Sequence, residues 1–227
     1  YAIQGKLTQQ LPEDGDARDL LKDIRQEKAR LIKEGKIKKE KPLPEITEDE
    51  IPFEIPENWC WVRLGEIGRS FSDGVHFAPK YHSYGVPCLS AKDIYNDQIN
   101  FNKCNYISEK DYSLMKHKID VQVGSLLFTK SGSIGRTCIV RNDIKYGLVE
   151  SVGVINLINV DSSYVKIVFD LIFDGTGISN IYTNGIGVKH LTLTLVRNIL
   201  IPLPPITEQK RILERLKEFM PLCKNLE

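Results

Sequence analysis

The sequence predicts an α+β fold, a single domain with a mixed, irregular sheet, flanked by helical segments. Two observations carry this reading. Between Trp59 and Leu203, short apolar or β-branched runs alternate with turn residues. On either side, apolar residues recur at helical spacing. The middle part, about 145 residues long, is large enough to enclose a hydrophobic core.

The leading part reads as a helix followed by a linker. Asp16 is a good N-cap, Asp19 falls in the first turn, and Leu20, Leu21, Ile24, Leu31 and Ile32 form a narrow apolar seam. Gly35 stops the helix at the C′ position. A basic run, Lys36 to Lys41, leads into Pro42, Pro44, Pro52 and Pro56 among acidic residues. Proline this dense forbids helix, and the segment reads as an extended, solvated tether.

Trp59-Cys60-Trp61-Val62-Arg63-Leu64 opens the middle part, with two anchoring aromatics on a strand or helix entrance. Strands are expected at Gly124 to Thr129, Thr137 to Val140 and Val152 to Ile158. Turn signals fall at Ser131-Gly132, Asn142-Asp143 and Asp161-Ser162-Ser163. Helices are expected over Glu109 to Lys116 and Ser163 to Phe173. Pro202, Pro204 and Pro205 end the last strand. A closing helix then starts, with Thr207 as its cap, Ile206 as a staple and Ile212, Leu213, Leu216, Phe219 and Met220 on one face. The division is therefore 1–58, 59–205 and 206–227.

Charge is uneven although the net value is +1. Residues 1–58 hold 11 basic against 14 acidic side chains (−3), residues 59–205 hold 15 against 12 (+3), and the tail holds 5 against 4 (+1). The middle part is mildly basic, which by itself does not make a DNA binder. The five cysteines, at 60, 88, 104, 138 and 223, form no C-x-x-C pair. They read as reduced thiols of a cytoplasmic protein, not as a zinc site or a disulfide framework. There is no apolar run long enough to span a bilayer and no signal-peptide pattern, and the missing Met at position 1 suggests an absent start.

Four segments together resemble a known family. Leu203-Pro204-Pro205-Ile206-Thr207-Glu208-Gln209-Lys210-Arg211-Ile212 is similar to the "LPP-hydrophobic-x-EQ-x-x-I" signature of type I restriction-modification specificity subunits. Val123 to Arg136 resembles their G-hydrophobic-strand element ending in G-S-I-G-K/R. Ala2-Ile3-Gln4-Gly5-Lys6-Leu7 resembles the segment closing a conserved helix, and Ile51 to Gly65 the approach to a recognition domain. The loop Val75-His76-Phe77-Ala78-Pro79 departs from the family's usual T-P.

The resemblance implies a target-recognition domain flanked by parts of a long antiparallel helical spacer. Family members usually carry two such domains. One domain here implies either a piece of a longer subunit or a half-length subunit pairing with itself. It further implies double-stranded DNA as ligand, methyltransferase (modification) subunits as partners, and a restriction/motor subunit reached through the complex. No cofactor and no membrane are expected for this chain, and no catalytic site. The domain would read one half of a split target through the major groove, while the helices set the distance to the other half.

Three loops are the candidate contacts. Lys130, Ser131, Ser133 and Arg136 offer charge and small hydroxyl donors around Gly132 and Gly135. The glycines themselves read foremost as turn residues. His76, Lys80, Tyr81, His82 and Tyr84 lie between Gly74 and Gly85, where planar and donor groups fit either a contact surface or a loop packing its own rings. Thr183, Asn184, Lys189 and His190 surround an Asn-Gly turn, and Asn and Lys suit adenine and guanine edges. A hairpin with solvated polar tips explains the last group equally. Metal ligation by His76 and His82 lacks suitable spacing.

Competing functions have thin support. Val168 to Gly177 vaguely resembles the first motif of S-adenosylmethionine methyltransferases, but the N/D-P-P-Y/F segment is missing. No phosphate-binding loop, nucleophile elbow or nuclease carboxylate cluster occurs. A protein-interaction scaffold without DNA binding, or the recognition domain of a fused restriction-methylation enzyme, stays open.

Overall fold

The computed structural model describes residues 1–173 and 190–223, with side chains through Phe219. Helix α1 (Ala17–Lys33) starts where Asp16 accepts from the Arg18 amide at 2.7 Å. It ends at Lys33, with Glu34 as C-cap, and the φ of 69° at Gly35 is the left-handed conformation a C′ glycine supplies. Its buried face is Ala17, Leu21, Ile24 and Leu31, the last three from the seam expected from the sequence.

Strand β1 (Cys60–Arg63) pairs antiparallel with a strand from the far end of the chain, β11 (Leu200–Leu203), so that Cys60 lies opposite Leu203. The short helix α2 (Leu64–Ile67) then turns the chain into β2 (Gly68–Asp73). This strand joins β7 (Leu126–Thr129), β8 (Thr137–Ile139) and β10 (Val152–Leu157) in a four-stranded antiparallel sheet of order β2-β10-β7-β8. Central β10 is buried along nearly its whole length, and its one polar side chain, Asn156, is fully bonded. It shares a 2.6 Å bond with Ser125 and donates to Ser70 Oγ and the Asp120 carbonyl. Helix α4 (Ser162–Phe173) lays Val165, Val168, Phe169 and Ile172 on this sheet, with Phe169 5.4 Å from Phe128.

A second, mixed sheet carries a smaller apolar cluster. In it β3 (Val86–Leu89) pairs antiparallel with β6 (Asn105–Ile107) and parallel with β9 (Gly147–Leu148). Helix α3 (Glu109–Lys116) seats Met115 beside it. Between the sheets, β4 (Ile94–Tyr95) and β5 (Gln98–Ile99) form a hairpin whose turn residues, Asn96 and Asp97, have φ of 50° and 56°. The body is α+β with irregular sheets, as the sequence predicts.

At the closing end one helix is unforeseen and the cap of the expected helix is corrected. Helix α5 (Leu193–Asn198) precedes β11, and α6 (Ile206–Cys223) follows it. Thr207 lies inside the first turn of α6 and bonds to Asp14 at 2.8 Å, so it ties down the leading segment instead of capping the helix. The proline-rich segment is extended but not a free tether. Buried Arg63 donates to the carbonyls of Pro44 (2.7 Å), Glu45 (2.9 Å) and Asn198 (3.1 Å) and to both oxygens of Glu50. A guanidinium offers five donors in a fixed fork, enough to hold an unpaired stretch of backbone.

Candidate nucleic-acid interface

The register of the four-stranded sheet brings distant loops to one end. Asp73 ends β2 opposite Gly153, Thr129 ends β7 opposite Val152, and Thr137 opens β8 opposite Phe128. The loops 74–85 and 130–136, the turn 149–151 and His190 therefore meet at the same edge. At the opposite end, Ile158 bonds back to Ile67 and the Asp161 amide donates to Gln209 of α6 at 3.0 Å. Lys28 of α1 donates there to the carbonyls of Gly65 and Gly68. Helices α1, α2 and α6 thus sit at one end of the sheet and the polar loops at the other, while α4 runs across its face.

Each loop is fixed by its backbone. Leu191 donates to the Lys130 carbonyl and Lys130 to the Ser151 carbonyl, both at 2.8 Å. Gly74 has no side chain because a Cβ there would lie 2.1 Å from the Val149 carbonyl oxygen, which lets the Val75–Val149 bridge form. Gly132 and Gly135 have φ of 76° and 81°, so both fill turn positions that favour glycine.

The candidate residues take different positions. Ser131 is half-buried and Ser133 exposed. The Arg136 guanidinium lies 5.1 Å over the ring of exposed Tyr95 on the β4–β5 hairpin. Lys130 is corrected. Its side chain is buried (2% exposed) and its ammonium is bonded to the Asp73 carboxylate, so it locks two loops together and does not reach outward. In the loop 74–85, His76, Lys80, Tyr81, His82 and Tyr84 are all exposed, Tyr84 at 82%. The rings face solvent and do not pack into a closed loop. His82 is held through its backbone, which donates to the Tyr106 carbonyl at 2.9 Å. His190 is exposed beside them, while Thr183, Asn184 and Lys189 lie outside the described residues.

Sequence reasoning missed Glu150, Asp73 and Tyr95. Glu150 stands between two imidazoles, 3.6 Å from His76 Nδ1 and 3.8 Å from His190 Nε2. No local pattern marks it, because the turn that carries it becomes special only when β9 and β10 join different sheets. The Tyr95 hairpin was within reach, since Asn96-Asp97 is turn-forming and lies between two short β-branched runs. The methyltransferase-like stretch loses its structural setting, because Val168 to Phe173 lies within helix α4, not on a strand.

Residues 56–227 match the family model described as Type I restriction modification DNA specificity domain. Over 99% of its length the chain is 34% identical to the type I restriction enzyme EcoAI specificity subunit and 31% identical to the EcoEI specificity subunit, both of Escherichia coli. It spans 39% of the length of each of these relatives. The HsdS subunit from Thermoanaerobacter tengcongensis shares the fold, with a TM-score of 0.55 at 16% identity over 92% of this chain and 47% of that one. A chain from a structure on complex assembly and conformational transition of the type I R-M system gives 0.55 at 17% identity, over 92% and 48%. With the family model covering most of the chain and the same α+β body in solved relatives, this protein belongs to the family of type I restriction-modification DNA specificity domains.

Proposed function

We propose that this chain is a DNA target-recognition module of a type I restriction-modification system. It reads one half of a bipartite target in the major groove and docks methyltransferase subunits through its helices. The other half-target falls to a second recognition domain, on the same subunit or on a second copy of a half-length one. Methylation and ATP-driven cleavage belong to the modification and restriction/motor subunits. The module itself supplies no catalytic group and needs no cofactor, and it works in the cytoplasm.

The observation that carries this reading is the gathering of loops from four places in the sequence at one sheet end, opposite α1, α2 and α6. Base reading requires donors and acceptors on rigidly held loops, with basic groups at hand for phosphates. The backbone bonds of Lys130, Leu191 and Val75 supply that rigidity, and Arg136, Lys80, Ser133 and His190 supply the groups. Among the described residues no helix is long and apolar enough to cross a membrane.

Fluorescence anisotropy of the full-length subunit on labelled random duplexes, over a salt series, tests the proposal. Displaced counterions should make log affinity fall linearly with log salt. Binding to protein partners with no DNA binding at low salt would favour the scaffold reading instead.

A further inference from the structure

We propose that the Glu150 carboxylate reads an exocyclic amino group of a base, cytosine N4 or adenine N6, in the major groove. The inference rests on the DNA-recognition reading above and assigns it a specificity-determining residue. Among the described residues two carboxylates, Asp73 and Glu150, lie where the loops meet, and they differ in what occupies them. Asp73 is taken by the ammonium of Lys130 and is mostly covered. Glu150 has a side chain 45% exposed, and its neighbours are the imidazoles of His76 and His190 at 3.6 and 3.8 Å. Those separations exceed the reach of a direct hydrogen bond. The carboxylate oxygens therefore keep their acceptor capacity while the side chain is confined between two rings.

The chemistry then narrows the ligand. An ionised carboxylate only accepts, and so does a phosphate oxygen, so the two repel with nothing to exchange. Guanine presents only acceptors in the major groove and thymine an acceptor and a methyl, whereas cytosine and adenine present an amino donor there. On the DNA side, a negative side chain is repelled by phosphate and finds a donor among the major-groove base edges only in those amino groups. The backbone beneath it is built for that accuracy. Glu150 N donates to the Val75 carbonyl at 3.1 Å, Val149 N to Leu89 O at 3.1 Å, and Ser151 Oγ accepts from the Ala91 amide at 3.0 Å. The turn is thereby tied to both sheets, the preorganisation that a reading group needs.

The test is methylation-site mapping by sequencing, with the full-length subunit assembled with its methyltransferase partners, for the wild type and for Glu150→Ala, Glu150→Gln and Glu150→Asp. Glu150→Ala should relax one position of the recognised motif by roughly 5- to 150-fold, the discrimination expected of one good base contact. Glu150→Gln should move that position towards adenine if the wild type reads cytosine, because an amide pairs bidentately with adenine; retained preference identifies adenine as the native base. Glu150→Asp keeps charge and backbone, shortens the reach by one methylene, and should relax the same position. The Ala and Gln variants should also bind random duplex at least as tightly as the wild type, since a repulsive charge is gone. If all three variants keep the wild-type motif unchanged at every position, the assignment of Glu150 is overturned. A wild-type complex that modifies no defined motif overturns the recognition reading itself, a separate result.

Discussion

The indole Nε1 of Trp59 donates to Glu208 Oε2 at 2.7 Å, joining the residue that opens the recognition body to the first turn of α6. Both side chains are buried, and the other oxygen of Glu208 accepts from Thr8 Oγ1 and Gln10 Nε2, each at 2.9 Å. One carboxylate therefore holds the leading segment, the body and the closing helix together. Trp59 also sets its ring edge-on to Tyr164, whose hydroxyl donates to the Pro202 carbonyl at 2.6 Å. Glu208→Ala should cost about 1–3 kcal/mol, chiefly from the buried indole N–H left without an acceptor. Trp59→Phe should also destabilise, through lost indole packing, while leaving Glu208 its two other donors. Urea unfolding measures both.

Asp14 and Arg211 make the same junction sensitive to acid. The guanidinium of Arg211, with help from the Leu11 amide and Thr207, holds the Asp14 carboxyl down from 3.8 to about 2. A carboxylate whose pKa is lowered on folding stabilises the folded state above its unfolded value, and that stability is lost as pH falls from 3.8 through about 2. The wild type should therefore lose stability over that window more steeply than Asp14→Asn. Equal slopes in thermal melts at acidic pH would remove Asp14 from the account.

Lys130 anchors loops and should behave as a stability residue. Lys130→Met leaves Asp73 without its cation and should lower stability by about 1–3 kcal/mol. A fully stable variant that merely binds DNA less well would restore Lys130 as a direct contact.

Arg136 should show the opposite balance. Its ring contact with Tyr95 is worth about 0.5–1 kcal/mol at an exposed site, so Arg136→Ala should fold nearly as well as the wild type. A phosphate contact predicts weaker binding to all sequences and a salt slope reduced by about 1, whereas a base contact predicts relaxed preference at one position. Unchanged binding in anisotropy titrations would exclude Arg136 from the interface.

Cys88 and Cys138 should be inert in the folded protein. Burial pushes the Cys88 thiol up to about 12 and the Cys138 thiol to about 11, far from the thiolate form that reacts. Alkylation at pH 8 should reach these two residues only on unfolding. Rapid labelling of the native chain would contradict their placement.

Local signals made much of this molecule legible. The helix expected over Glu109 to Lys116 has those bounds, and that expected from Ser163 to Phe173 begins one residue earlier. The strands at Leu126, Thr137 and Val152 follow from β-branched runs between turns, and Gly35 ends α1 where its φ is needed. What escaped the sequence depends on distant partners. The parallel pairing of β3 with β9 joins residues some sixty positions apart, and no local pattern specifies it. Lys130 looked like a phosphate ligand because its neighbour Asp73 is brought to it by strand register. Arg63 turned a proline-rich tether into a docked segment by offering donors to carbonyls that sequence alone leaves to water. Glu150 had no mark at all until two histidines from other loops framed it.

Photo-crosslinking can locate the DNA against the two ends of the sheet. A photoreactive residue in place of Tyr84 or Ser133, at the loop end of the sheet, and another in place of Gln26, on α1 at the opposite end, would each be introduced into the full-length subunit bound to duplex DNA. DNA adducts are expected from the first two positions and none from the third. Adducts from Gln26 alone would mean that the helical end meets the duplex, and the assignment of the loops would fall.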